Sequence, residues 1–152
     1  MNTEINMRVK NAITLFEEGY NCSQAVFMAY ADIFCIEQNQ AAALSTSFGG
    51  GMGRMREVCG AVSGAVMLLG LKYPHLDPTD NNPKNHNYQI VQKFTNQFRS
   101  EMGSYICADL LKLKREPQSP ESAIRNKAYY KTRPCTRCVA LAARIVGFEI
   151  IE

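Results

Sequence analysis

Apolar residues recur at every third or fourth position along almost the whole chain, and no stretch alternates as a half-buried strand would. That period restricts the fold to packed helices, because a 3.6-residue repeat gathers apolar side chains onto one stripe of a helix. Ile5, Val9, Ala12, Ile13 and Phe16 form the first stripe, and Gly19 closes it. Asn21 is a suitable N-cap for a second helix carrying Ala25, Val26, Phe27, Tyr30 and Phe34 inward or sideways. A short third helix, 38–48, runs into Gly49-Gly50-Gly51-Met52-Gly53.

The longest apolar run, 58–71, falls short of the roughly 20 residues a membrane span needs, so it predicts a buried central helix. Gly60 and Gly64 are poor helix formers, and their spacing puts them on one face beside Ala61 and Ser63. A face of small residues lets a bound group or another backbone, from this chain or a second subunit, come close. The proline-rich segment 73–85 reads as a loop. After it comes a polar helix with Ile90, Val91, Phe94 and Phe98 inward, ending at Gly103. Ser104 then caps a helix over 105–113, a second loop covers 115–122, and a last helix starts near Pro134 and ends at Gly147. The expected fold is a single all-α domain, residues 1–152: a helical bundle of six or seven helices with a Gly/Ala-rich central helix.

Seventeen Lys and Arg against fourteen Asp and Glu leave a formal charge of +3, too small and too evenly spread to argue for nucleic acid. The first eight residues mix charged and apolar side chains without an apolar h-region, so no signal peptide is expected. The compartment implied is the cytoplasm, where structural disulfides are uncommon. Six cysteines in such a chain therefore call for a metal site, redox chemistry or inert burial.

Their positions carry more information than their number. Cys22 follows the cap Asn21, Cys59 opens the central helix, Cys107 lies three residues after Ser104, and Cys135 follows Pro134. All four fall in helix N-terminal turns, where unpaired N–H groups and the helix dipole favour a thiolate. Cys22, Cys59, Cys107 and Cys135 are thus the candidate catalytic thiols, and the same four are the candidate ligands of zinc or an iron–sulfur cluster. Cys35, between Phe34 and Ile36, reads as a small buried hydrophobe. Cys138 completes the C-x-x-C of Cys135-Thr136-Arg137-Cys138, whose role stays open. There is no second such pair for a two-knuckle zinc site and no βαβ unit for a thioredoxin-type one.

The segment Gly19-Tyr20-Asn21-Cys22-Ser23-Gln24-Ala25-Val26, the glycine loop ending in Arg54, and Cys59-Gly60-Ala61-Val62-Ser63-Gly64 together resemble the C_GCAxxG_C_C family of small redox-active proteins. The central motif takes the form CGAxxG here, and Cys107 and Cys135 resemble the two remaining cysteines. The resemblance covers most of the chain, from which Cys35 and Cys138 stand out as additions. It implies a redox role in a prokaryotic protein, and a redox or transporter-associated protein partner, since genes of this family often lie near transporter genes.

The glycine loop is either an anion cradle or a plain connector; it lacks the Gly-Lys-Ser/Thr ending of a nucleotide-binding P-loop. Arg54 and Arg56 either steady a thiolate or an anionic substrate or are simply solvated, and His75 and His86 read as surface residues. The leading reading is thiol–disulfide exchange or electron transfer by a thiol oxidoreductase, with Cys59 as central nucleophile and Cys22, Cys107 and Cys135 as its partners. The alternatives are a metal site on the same thiols and a helical interaction module serving a transporter.

Overall fold

A computed structural model describes residues 2–152. Asn2 caps α1 (Thr3–Glu17), its side chain accepting from the Ile5 amide at 3.2 Å, and Ile5, Val9, Ala12, Leu15 and Phe16 turn inward. The chain leaves this helix through Gly19 at φ 117°, a conformation other residues resist. A capping box starts α2 (Cys22–Met28): the Asn21 side chain accepts from the Gln24 amide at 2.9 Å, and the Gln24 side chain accepts from the Asn21 amide at 3.0 Å.

A 3₁₀ turn, Ala31–Phe34, ends at Cys35, which is left-handed (φ 59°) and exposed. The expected burial of Cys35 is therefore corrected: Phe34 and Ile36 are themselves only half-buried, so the thiol has no core to enter. Next come α3 (Gln38–Ser45), a 3₁₀ turn over Thr46–Phe48, and the distorted glycine turn α4 (Gly49–Met52). The remaining helices are α5 (Gly60–Lys72), α6 (Asn81–Met102), α7 (Cys107–Leu111), α8 (Lys127–Thr132) and α9 (Cys135–Ile151). With α4 set apart, the described residues form eight helices and no strand; the only extended pairing is a single antiparallel bridge, Val58 to Ile106.

Several boundaries differ from expectation: the second helix ends at Met28 and the third at Ser45, and three further boundaries and one unexpected helix have local reasons. Helix α6 begins at Asn81, because Asp80 accepts from the Asn82 amide at 3.0 Å and Pro83 sits in the first turn, where its missing N–H costs nothing. Helix α7 begins at Cys107 with Ile106 as its cap position. Ser104 instead accepts from the Ile106 amide and donates to Asp109, ordering the approach to the helix. Helix α9 runs through Gly147 to Ile151, since that glycine makes room for the buried phenol of Tyr30, which donates to the Ala143 carbonyl at 2.7 Å. Helix α8 has no apolar stripe to announce it; Asn126 starts it by accepting from the Tyr129 amide at 3.0 Å.

Helix α5 is the central helix. Ala61, Val62, Ala65, Leu68 and Leu69 are buried on it, and α2, α9 and α6 pack around it. Each large side chain so buried contributes about 1.5–3 kcal/mol. Its small face is filled from within the same chain, by α2. A Cβ on Gly60 would lie 3.2 Å from the Ser23 amide nitrogen and 3.3 Å from the Cys22 Cβ. That close approach draws the start of α2 and the start of α5 together. No helix of the described residues is long and apolar enough to cross a membrane.

Candidate functional site

Three local devices bring distant thiols to one place. The first is the α2–α5 contact, which sets Cys22, the first residue of α2, beside Cys59, the cap position of α5. The second is the bridge between Val58 and Ile106: the Cys59 amide donates to the Tyr105 carbonyl at 2.8 Å, and the Cys107 amide donates to the Glu57 carbonyl at 2.7 Å. Cys59 and Cys107 are thereby clipped to one another through backbone. The third is α9, whose first turn supplies both Cys135 and, three residues on, Cys138. Residues at i and i+3 share a helix face, so the C-x-x-C presents both sulfurs to the same side.

The glycine segment closes the floor. Gly50, Gly51, Met52, Gly53 and Arg54 all have φ between 58° and 70°, a left-handed turn that only a glycine-rich stretch tolerates at modest cost. A Cβ on Gly51 would stand 2.7 Å from the Cys107 Cβ and 2.7 Å from the Glu57 amide nitrogen, so the loop is pressed against the thiol site and is no slack connector. Arg56, left-handed again at φ 61°, is turned inward and is 2% exposed. Its Nε donates to the Gln118 side chain at 2.9 Å, its Nη1 lies 3.4 Å from the Cys107 sulfur, and its Nη2 is buried without a partner. Of the two readings of Arg56, a solvated residue or a partner of a thiolate, its burial beside the Cys107 sulfur fits the second, because the left-handed backbone turns the side chain toward the core.

A cavity of about 310 Å3 results. Cys22, Cys59, Cys107 and Cys135 all line it, as does Cys138, while Cys35 lies elsewhere on the surface. Cys22 and Cys135 are half-buried; Cys59, Cys107 and Cys138 are buried.

The five thiols are not equivalent. Cys22 and Cys135 are neighbours in the cavity and perturb one another, as do Cys59 and Cys138. The Cys22 hydrogen bond, then the nearby Arg133 charge, the Tyr129 hydroxyl and Arg56, draw Cys135 down to about 6 against the opposing effect of burial. Cys22 is correspondingly pushed well up, by its bond to Cys135 and by desolvation. In the second pair the Cys138 thiol and the Ala61 and Val62 amides hold Cys59 below the usual thiol range, and Cys138 is raised, first by its bond to Cys59 and then by burial. Burial pushes Cys107 up despite the Arg56 guanidinium beside it. Tyr129 is raised to about 12 by burial and then by the neighbouring Cys135 and Cys22.

Each pair therefore joins one thiol favoured as thiolate to one favoured as thiol. Sequence position marked Cys135 and Cys59 through their helix starts, and it marked Cys22 equally, although the fold makes Cys22 the proton-holding partner. The role of Cys138 was open in the sequence; its i+3 spacing from Cys135 at a helix start is the signal that would have placed it here. Arg56 was signalled by its place shortly before Cys59, whereas Tyr129 and Arg133 carry no such signal and reach the sulfurs through the fold. Among the described residues, no group of three or more Cys, His, Asp or Glu side chains is arranged to hold a metal ion. The thiols face one another two by two, a donor set unlike the four convergent sulfurs of zinc or an iron–sulfur cluster. His75 is half-buried and His86 exposed, and neither lines the cavity.

Residues 20–148 match the family described as "Putative redox-active protein (C_GCAxxG_C_C)". No curated protein and no solved structure matches the chain.

Proposed function

Because the chain belongs to the C_GCAxxG_C_C family, we propose that it is a dithiol–disulfide exchanger in which Cys135 attacks, Cys22 resolves, and Cys59 with Cys138 form a second pair behind them. One observation carries this reading: a half-buried thiol drawn down to about 6 faces a proton-holding thiol across a shared cavity. The thiolate is the attacking species, and a nucleophile with a pKa near ambient pH combines a large thiolate fraction with adequate intrinsic reactivity.

The Cys135 thiolate attacks one sulfur of a substrate disulfide. A mixed disulfide forms at Cys135 as the substrate S–S bond breaks, and the departing thiolate takes up a proton. Cys22 then gives up its proton and attacks the Cys135 sulfur. The Cys22–Cys135 disulfide forms, and the second substrate thiol leaves with that proton. The substrate gains two electrons and two protons; the thiolate–thiol pair supplies both electrons and the Cys22 proton, and solvent supplies the other proton. Cys59 lies close enough to feel the charge of Cys135, so the inner dithiol can take over the disulfide by a further exchange and leave the outer pair reduced. Attack at Cys59 first, as its place at the head of the central helix suggests, is disfavoured by its burial, at 5% exposed. A resting dithiol form suits a reducing compartment, the cytoplasm.

The test is turnover of 2-hydroxyethyl disulfide by the reduced protein. Cys135→Ser abolishes reaction, and Cys22→Ser stops at a mixed disulfide on Cys135 visible by mass spectrometry. Cys35→Ser, away from the cavity, reacts as the parent does. Turnover by Cys135→Ser at the parent rate would overturn the assignment.

A further inference from the structure

The cavity that holds the five thiols is also lined by four guanidiniums, those of Arg54, Arg56, Arg125 and Arg133, while no Asp or Glu among the described residues lines it. None of the four has a carboxylate partner among the ion pairs of the described residues. Arg125 is committed to the fold: it donates to the Phe16 and Tyr20 carbonyls and lies over the Phe16 ring at 4.3 Å. Arg133 rests over the Tyr129 ring at 5.0 Å. Arg54 spends its Nε on the Ser119 carbonyl at 2.7 Å. Burial, and then the guanidiniums of Arg56 and Arg133, press Arg54 below the usual arginine range, so these charges stand close enough to repel one another.

Arg56 is the informative member. A guanidinium 2% exposed, with one nitrogen buried and unpartnered and no carboxylate to balance it, is an expensive feature unless something anionic completes it. Planar guanidiniums favour carboxylate, sulfonate and phosphate oxygens, which they can hold through paired N–H groups. The volume, about 310 Å3, lies at the small end of ligand sites and suits a low-molecular-weight molecule rather than the body of a protein.

We propose that the substrate of this site is a small anionic disulfide, one carrying a carboxylate or sulfonate near its S–S bond, whose anionic group is held by Arg56 and Arg54 while its sulfur meets Cys135. The proposal rests on the exchange reading above and adds the substrate class to it. The two-electron step is unchanged: the anionic disulfide is the oxidant, and the Cys22–Cys135 dithiol is the reductant.

The experiment compares dithiodiglycolate (a dianion), bis(2-sulfoethyl) disulfide (a dianionic sulfonate), 2-hydroxyethyl disulfide (neutral) and cystamine (a dication) as oxidants of the reduced protein. Each rate is corrected for the disulfide's reaction with free cysteine. The dianions react about tenfold or more faster than cystamine, with the neutral compound between, and the gap narrows as salt is added. The two dianions report whether carboxylate or sulfonate is preferred. Arg54→Gln, at a half-exposed position, brings the ratio of dianion to neutral rates toward one. Arg56→Gln does so more strongly where it folds. In the parent protein, non-reactive thiodiglycolate slows reaction with the neutral disulfide. Equal corrected rates for dianion and dication, with exchange otherwise intact, overturn the anionic assignment alone. Absence of reaction with all four disulfides overturns the exchange reading on which it stands.

Discussion

The carbonyl oxygen of Ser23 stands 2.5 Å from where a Cβ on Gly64 would sit, so α2 and α5 meet backbone to backbone with no side chain between them. That contact is what carries Cys22 to the mouth of a cavity whose other wall begins at Cys59. The thiol site is therefore coupled to a packing requirement in the middle of the central helix.

Gly64→Ala sets a small gain against a larger loss. Alanine favours a helix interior over glycine by about 0.5–1 kcal/mol, but here its methyl meets a main-chain carbonyl that cannot rotate away. The expected net effect is a loss of about 1–3 kcal/mol, typical of overpacking, with altered reactivity of Cys22. Gly70, on the same helix, has nothing within 4 Å of its hypothetical Cβ, so Gly70→Ala should stabilise by about 0.5–1 kcal/mol. Urea unfolding of the two variants checks the opposite signs; equal shifts would contradict the backbone contact.

Mild oxidation should produce two disulfides, Cys22–Cys135 and Cys59–Cys138, and leave Cys107 and Cys35 as free thiols. The pairing follows the sulfurs that already face one another. Cys107 faces a guanidinium instead, and Cys35 lies outside the cavity. Peptide mapping after treatment with diamide and alkylation of the remaining thiols reads the connectivity, and a dominant Cys59–Cys107 bridge would exclude the two-pair arrangement.

Much of this was legible in the chain. The helical period, the cap at Asn21, and the thiols at helix starts follow from local rules that hold before any tertiary contact forms. What escaped is non-local. The chain offers Arg56 both as a thiolate's partner and as a solvated residue; the left-handed run from Gly50 to Arg54 and the clip of Cys107 to Glu57 decide between them by turning it inward. The short α8 carries Tyr129 to the sulfurs and Tyr130 against Phe16, but with six residues it is too short to show an amphipathic stripe. Cys35 failed in the other direction, since apolar neighbours in sequence do not ensure a core in space.

Stability should pass through a maximum near the ordinary thiol pKa of 9.0 because the outer pair is split to either side of it. Cys135 is lowered on folding, so its contribution grows as pH rises from about 6 and is complete above the unfolded value. Cys22 is raised, so its contribution is present below the unfolded value and is lost as pH climbs toward its folded one. Urea midpoints of the reduced protein across pH 6 to 11 should trace this rise and fall. The double variant Cys22→Ala/Cys135→Ala should flatten the curve over the same range.

Tyr129 supplies the sharpest separation of chemistry from packing. Its hydroxyl is one of the groups that lower the Cys135 thiol, its ring lies edge-on to Tyr130 at 5.2 Å, and the Arg133 guanidinium rests over it at 5.0 Å. Tyr129→Phe keeps the ring, both stacking contacts and the shape of the cavity wall while deleting one donor to the thiolate. A hydrogen bond to a charged acceptor contributes about 1.5 kcal/mol, and one pKa unit corresponds to about 1.4 kcal/mol. The pH midpoint for alkylation of Cys135 by iodoacetamide, about 6 in the parent, should therefore move up by about one unit in the variant with little change in unfolding midpoint. Arg133→Gln should move it the same way and in a salt-dependent manner, because a partly exposed charge acts through screened Coulomb attraction, whereas the phenol acts at contact. An unchanged midpoint in both variants would mean that neither group addresses the sulfur, and the nucleophile would then have to be sought at Cys59.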